Sequence, residues 1–158
     1  MTKININAVK TLLKKNESRR PILASISYQD DRIAFTDSYG LVEIDTSNAQ
    51  SFNLNVFTGR LEGGEYPRLD RIKPAEYALE PAENMHVEFK EGQELYIIDD
   101  YPFGKKQVDQ TFKTVGLDFT KQVGAGQIKL HKRPTSASLV YQKNDVYILV
   151  LGLYKDRE

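Results

Sequence analysis

Two histidines and two pairs of adjacent aspartates are the side chains of this sequence best suited to reaction chemistry. His86 and His131 are the candidate bases and metal ligands, and Asp30-Asp31 and Asp99-Asp100 are the candidate paired carboxylates. The chain has no Cys, which removes thiolate nucleophiles, thiolate zinc sites and disulfides. A catalytic centre needs a nucleophile, a base and a group that orients the base. Each His instead falls in an alternating apolar/polar segment, where a rim position is expected. Asp30-Asp31 falls at a hairpin turn and Asp99-Asp100 at an expected helix start, settings that account for carboxylates without chemistry. No HExxH, GxSxG, Walker-type or GxGxxG pattern is present. Gly124-Ala125-Gly126 resembles part of a phosphate loop, but no helical pattern follows it, so a turn is expected. These residues predict a protein that is not an enzyme and that needs no metal or cofactor. A hydrolase using Asp99, Asp100 or His131 stays as the remotest alternative.

Binding chemistry is more legible. The 158 residues carry 22 Lys plus Arg against 22 Asp plus Glu, a formal net charge of zero. That balance excludes a protein that coats nucleic acid with its whole surface. Resolved along the chain, the charges segregate. Asn7 to Arg20 has five basic residues and one acid, a net of +4, and Gly104 to Gln122 has four Lys and two Asp, a net of +2. Arg60 to Asp100 has five basic residues and eleven acids, a net of −6. Lys held on a rigid helix can follow phosphates without reading bases. A merely solvated Lys face is the competing explanation.

The elements that must carry these charges follow from periodicity. A helix is expected from about Asn7 to Asn16, with Asn7 as its cap and Val9, Leu12 and Leu13 as its apolar stripe. Lys10 and Lys14 lie one turn apart on another face, with Lys15 beside them. A second helix is expected from near Pro102, capped by Asp99 or Asp100 and stopped at Gly116. Its stripe is Val108, Phe112 and Val115. At 100° per residue, Lys106, Gln110 and Lys113 lie nearly opposite that stripe.

Most of the remainder reads as strands. Pro21 to Tyr28, Arg32 to Thr36, Leu41 to Asp45 and the alternating Phe52, Leu54 and Val56 form a first group. Met85 to Phe89 pairs with Glu94 to Ile98 across Glu91-Gly92-Gln93. Gln127 to His131, Ala137 to Gln142 and Val146 to Tyr154 form the last group. Arg60 to Glu83, with Gly63-Gly64 and three prolines, reads as a loop with short extended pieces that belongs to the folded unit. The two halves share an order of helix then hairpin. Ser25 to Asp31 can be laid on Ser138 to Asp145, a weak internal repeat suggesting two sheets related by an approximate two-fold axis.

At 40% hydrophobic and 28% charged, the composition is that of a globular protein. Its length suits one domain, 1–158, able to bury roughly 70% of its unfolded surface. The first residues lack a signal-peptide apolar run, and the longest apolar stretch, Val146 to Leu151, is far short of a membrane span. A cytoplasmic location without membrane contact is therefore expected.

Several segments together resemble the sliding-clamp family, in the form of the bacterial replicative DNA polymerase beta subunit. They are a short strand (Lys3 to Ile6), the Lys-bearing helix, Arg20-Pro21-Ile22-Leu23-Ala24 and Arg32-Ile33-Ala34-Phe35-Thr36-Asp37. Gly64-Glu65-Tyr66-Pro67-Arg68-Leu69-Asp70-Arg71-Ile72-Lys73-Pro74 resembles the family's G-x-[FY]-P-[DN]-x-x-x-[VI]-x-P segment, and Tyr96-Ile97-Ile98 its strand into the second helix. The resemblance implies an α+β clamp-like fold, two antiparallel sheets with two helices on one face. It further implies sequence-independent binding of double-stranded DNA, self-association into a ring, and support of DNA replication as a processivity factor tethering a DNA polymerase. The DNA-facing residues carried over by position are Lys10, Lys14, Lys15, Lys106, Gln110 and Lys113. The sequence also departs from the family. It has length for one such domain, where bacterial clamp chains hold three, which suggests a phage or mobile-element version. Leu151 to Glu158 lacks the family's M-P-x-R ending, so its C-terminal partner pocket is not implied. Two alternatives stay open. One is a clamp-fold interaction or decoy protein that binds a replication partner without forming a ring. The other is an unrelated α+β module, such as a small phage structural or regulatory protein.

Overall fold

The computed structural model describes residues 2–155; the last three residues of the C-terminal ending compared above lie outside them. The first helix, α1 (Ile6–Leu13), continues as a 3-10 turn through Asn16. Its cap is Asn5 and not the expected Asn7. The Asn5 side chain accepts from the Ala8 N–H at 3.1 Å, while its own N–H donates to Thr114 O at 2.8 Å. With Asn5 as cap, Ala8, Val9, Leu12 and Leu13 all turn inward. The same cap leaves no strand at Lys3 to Ile6.

Pro21 to Ala24 forms a 3-10 turn where a strand was expected. Pro21 stands in its first turn, the Leu23 and Ala24 N–H groups both donate to Arg20 O, and the Ser25 hydroxyl closes back onto Pro21 O. The strands β1 (Ser25–Tyr28), β2 (Arg32–Thr36), β3 (Gly40–Asp45) and β4 (Phe52–Asn55) follow. In β4 the burial runs opposite to the expected pattern. Asn53 and Asn55 are buried and Phe52 and Leu54 only half-buried. Asn55 accepts from the Phe57 and Thr58 N–H groups and donates to Glu62, and Asn53 donates to Glu62 O and Gly64 O. Local backbone satisfaction thus outranks alternation.

Two short strands, β5 (Leu61–Glu62) and β6 (Glu80–Pro81), bracket the irregular middle. The hairpin β7 (Met85–Lys90) and β8 (Gln93–Ile98) turns through Glu91-Gly92, both at positive φ. Asp99 and Asp100, at φ 48° and 71°, make a second tight turn into β9 (Tyr101–Gly104). They are hairpin residues and not helix caps. Helix α2 (Lys105–Lys113) begins after that strand, with Gly104 as cap, and stops at Gly116 (φ 74°). A short helix, α3 (Phe119–Gly124), is capped by Asp118 and has no counterpart in the expectations. The strands β10 (Ile128–Lys132), β11 (Ala137–Lys143) and β12 (Val146–Leu151) complete the chain.

All strand pairing is antiparallel. Nine strands form one sheet in the order β5-β4-β1-β2-β3-β12-β11-β10-β6, and β7-β8-β9 form a second. The pairing β3·β12 joins the β1-β2-β3 meander to the β10-β11-β12 meander, so each half of the large sheet follows one of the longer helices. This order places β1–β2 opposite β10–β11. The comparison of 25–31 with 138–145 lays β1 on β11, and both lie in the one nine-stranded sheet instead of in two sheets. Helices α1 and α2 pack against each other, and α2 also touches β3, β12, β8 and β9, wedged between the two sheets. One core unites Val9 and Leu13, Val108 and Phe112, Phe35 and Val42, Ile148 and Val150, Tyr96 and Ile98. Gly152 is the close point of the seam beside it. A Cβ there would lie 2.5 Å from Ala137 O, while the Gly152 N–H donates to Ala137 O and the Leu153 N–H to Pro102 O.

The segment 66–79 lies across the opposite face of the large sheet. Tyr66 packs with Leu23 and Ala34, and Leu69 and Leu79 cover Leu41, Val140 and Leu149. Buried Glu43 on β3 anchors this strap through Arg32 at 3.0 Å and through Lys73, and Arg32 also holds Asp70 at 3.0 Å. The Arg32 guanidinium keeps the Asp31 and Asp70 carboxyls below the usual carboxylate range. A carboxylate whose folded pKa is depressed adds stability above its unfolded pKa of about 3.9 and loses it as pH falls through the folded value. Thermal stability is therefore expected to be flat from neutral pH down to about pH 4 and to decline below it. Replacing Arg32 by Met should lower the plateau and flatten the decline in melting curves taken across pH. An unchanged acid limb in that variant would remove Arg32 as its cause.

Candidate nucleic-acid interface

The bond from Asn5 N–H to Thr114 O sets the start of α1 against the end of α2, so the two helices run antiparallel. Their other ends are joined through Asp37 in the turn between β2 and β3. This buried carboxylate accepts from the Tyr39 and Gly40 N–H groups at 3.0 and 2.7 Å and from Gln107 of α2 at 3.0 Å, and it lies 3.7 Å from Lys15. Gly40 lets α2 come this close, because a Cβ there would lie 2.7 Å from Thr111 Oγ1. The helices thus have a fixed register, and both present to solvent the side turned away from Val9, Leu12 and Leu13 and from Val108 and Phe112.

Lys10, Lys14, Lys15, Lys106 and Lys113 are exposed and Gln110 is half-exposed. All of them except Lys10 line one open cleft of about 1220 Å³, bounded by α1, α2, the β7–β8 turn and the segment after β12. Lys10 lies one helical turn outside it. Among the described residues no ion pair engages Lys10, Lys106 or Lys113, whereas Lys14 pairs with Glu17 and Lys15 with Asp37. Lys15 also stands over the Tyr39 ring, 4.0 Å from its centroid.

The cleft lining holds five lysines and three acids, Asp37, Glu94 and Asp109. Lys105 is hydrogen-bonded to Asp109 at 3.0 Å, and that bond holds its ammonium above the usual lysine value. Asp109 also accepts from the Tyr96 hydroxyl at 2.6 Å. Burial, and then Asp109, push the Tyr96 phenol well up. Two of the three acids are therefore engaged by the fold. The arrangement can attract an extended polyanion and hold it by point charges.

The residues weighed for chemistry lie elsewhere. Asp99 accepts from the Asn84 and Glu83 N–H groups and pairs with Lys132 at 3.3 Å. His86, 3.0 Å from Glu88, is exposed on β7, and His131 is on β10. Among the described residues no group of three or more His, Asp or Glu side chains could hold a metal ion. Among the same residues, no helix is long and apolar enough to cross a membrane.

Sequence reasoning missed Lys105, Tyr39, Phe89 and Tyr154, all of which line the cleft. Lys105 begins α2 beside Lys106, and only a correct helix start could have found it. Phe89 alternates with Met85 and Val87 as a core residue would, yet it extends past the core and is 74% exposed.

No protein-family model matches the chain, and no curated protein matches it. Among solved structures the chain is similar to the DNA polymerase III beta subunit of Thermotoga maritima, with a TM-score of 0.49 and 14% sequence identity. The match covers 97% of this chain and 62% of that one, so the chain spans less than two thirds of the subunit's length.

Proposed function

We propose that this protein is a sliding-clamp-like domain. In this reading it binds duplex DNA without sequence preference through the exposed sides of α1 and α2, performs no reaction, and self-associates so that those sides line a channel. The channel would support replication by tethering a polymerase to DNA. One observation carries the proposal. Two antiparallel helices, locked in register by Asp37 and by the Asn5–Thr114 bond, expose Lys10, Lys14, Lys106 and Lys113 together, three of them without an ion pair among the described residues. The stretch 66–79 of the strap carries three basic residues and two acids, so the excess acid of the middle segment lies after it, mainly on the β7–β8 hairpin (Glu88, Glu91, Glu94) and the following turn (Asp99, Asp100). The sequence segments that resemble the clamp family, and the order of one longer helix before each three-strand meander, agree with this reading.

Phosphate contacts made by Lys release counterions, so duplex affinity should fall with salt at a log–log slope of about −0.9 per contact. Four contacts give a slope near −3.6, roughly a hundredfold loss between 50 and 200 mM salt. Native mass spectrometry at micromolar protein should show a closed oligomer of several copies. A monomer would remove the ring and leave a clamp-fold interaction protein. Duplex affinity indifferent to salt would remove the DNA-binding face itself.

A further inference from the structure

We propose that the cleft beside the helices is a binding site for single-stranded DNA, with Tyr39, Phe89 and Tyr154 as stacking platforms. Four aromatic side chains of this protein stand among the exposed large hydrophobic residues: Tyr39, Tyr77, Phe89 and Tyr154. Three of the four line this one cleft, and they come from three distant elements: the β2–β3 turn, the exposed strand β7 and the segment after β12. Scattered exposed rings need no explanation, but convergence of rings on a Lys-bearing cleft does. Phe89 and Tyr154 are 74% and 78% exposed, so their faces are open to a ligand. Tyr39 is 56% exposed and already carries the Lys15 ammonium over its ring.

The chemistry selects the ligand. A duplex keeps its bases stacked on one another and offers phosphates alone to a basic helix. Unpaired bases offer a π-face to every aromatic ring, whatever their identity. Rings and lysines that line one cleft offer partners to both the bases and the phosphates of a single strand. Among the described residues no ion pair engages Lys106 or Lys113 on the cleft wall, and Gln110 stands between them in sequence. The volume of about 1220 Å³ exceeds that of ordinary small-molecule pockets, roughly 300–1,000 Å³, and the cleft is open, as an elongated ligand requires. The choice of DNA over RNA rests on the function proposed above; the choice of a single strand rests on the rings alone.

The test uses the full chain, fluorescently labelled oligo(dT), oligo(U) of equal length, and a blunt duplex, all followed by anisotropy at one salt concentration. The wild-type protein is expected to bind oligo(dT), and the Phe89→Ala/Tyr154→Ala double variant to bind it about tenfold more weakly or worse. Duplex affinity of that variant should stay within about twofold, because Lys contacts are untouched. The chain has no Trp, so Phe89→Trp supplies a single reporter whose emission should be quenched by oligo(dT), and an emission that oligo(dT) leaves unchanged would overturn the platform at this position. Oligo(dT) binding that is absent in the wild type, or equal in wild type and double variant, overturns the site. Tighter binding of oligo(U) than of oligo(dT) overturns the assignment to DNA. Ring-dependent oligo(dT) binding without any duplex binding supports the cleft and counts against the clamp reading, while the reverse pattern does the opposite.

Discussion

Replacing Lys10, Lys14, Lys106 and Lys113 together by Glu is expected to abolish duplex association at moderate salt while leaving the fold intact. The loss is large because each substitution removes a released counterion and adds a charge that repels phosphate. If each lysine makes one contact, losing four removes about 3.6 from the salt slope, essentially all of the predicted electrostatic binding. Stability should change little, since substitutions at exposed positions away from caps and packed groups usually fall within about 0.5 kcal/mol. Lys14→Glu places a second acid near Glu17, three residues away, a local repulsion of about 0.2–0.5 kcal/mol. Circular dichroism and melting curves check the fold, and anisotropy against a blunt duplex checks the binding. Undiminished duplex affinity in a folded quadruple variant would exclude these helical faces as the DNA surface.

Phe112→Ala is expected to be the most damaging single substitution in the core. Phe112 has no solvent exposure, and its ring meets Phe119 edge-on at 5.1 Å and Tyr141 edge-on at 5.6 Å. It therefore ties α2 both to α3 and to the large sheet. Truncating a buried Phe to Ala costs about 3–5 kcal/mol through lost transfer energy and the cavity left behind. For a chain of this size each kcal/mol is about 2–4 °C in Tm, so a drop on the order of 10 °C is expected. Phe112→Leu, which keeps most of the volume, should lose much less. The consequence reaches the interface, because Lys106 and Lys113 are placed by α2. A folded Phe112→Ala protein should therefore also bind duplex more weakly than the wild type, without any change of surface charge. A destabilisation below about 1 kcal/mol would show that the helix is not held as described.

Much of the scaffold was legible in the sequence, because its determinants are local. The stripes Val9-Leu12-Leu13 and Val108-Phe112-Val115 fix which sides of the helices are buried, and the turn residues Gly92, Asn144 and Gly116 fix where chain direction changes. Errors arose where two local signals compete. Asn5 and Asn7 are both good caps, and the contact with Thr114 and the inward side of the helix select Asn5. Asp99-Asp100 before Pro102 reads as a helix start, but two consecutive left-handed residues close a hairpin instead, delaying α2 to Lys105. The Asn residues of β4 are buried because they satisfy loop backbone, a role that no periodicity encodes.

The sequence by itself determined that lysines would lie opposite the buried stripes of both longer helices, and that the acids would concentrate in the middle of the chain. Helical geometry and apolar spacing suffice for that, since both act within a few residues. It also determined the absence of thiol chemistry. Only the tertiary structure decided that the two lysine faces are neighbours, because their register depends on Asp37 reaching Gln107 across 70 residues. Only the tertiary structure, likewise, brought Tyr39, Phe89 and Tyr154 to the rim of one cleft. Their exposure depends on where the core ends, and that boundary is set by the packing of α2 between two sheets and not by any residue's neighbours in the chain.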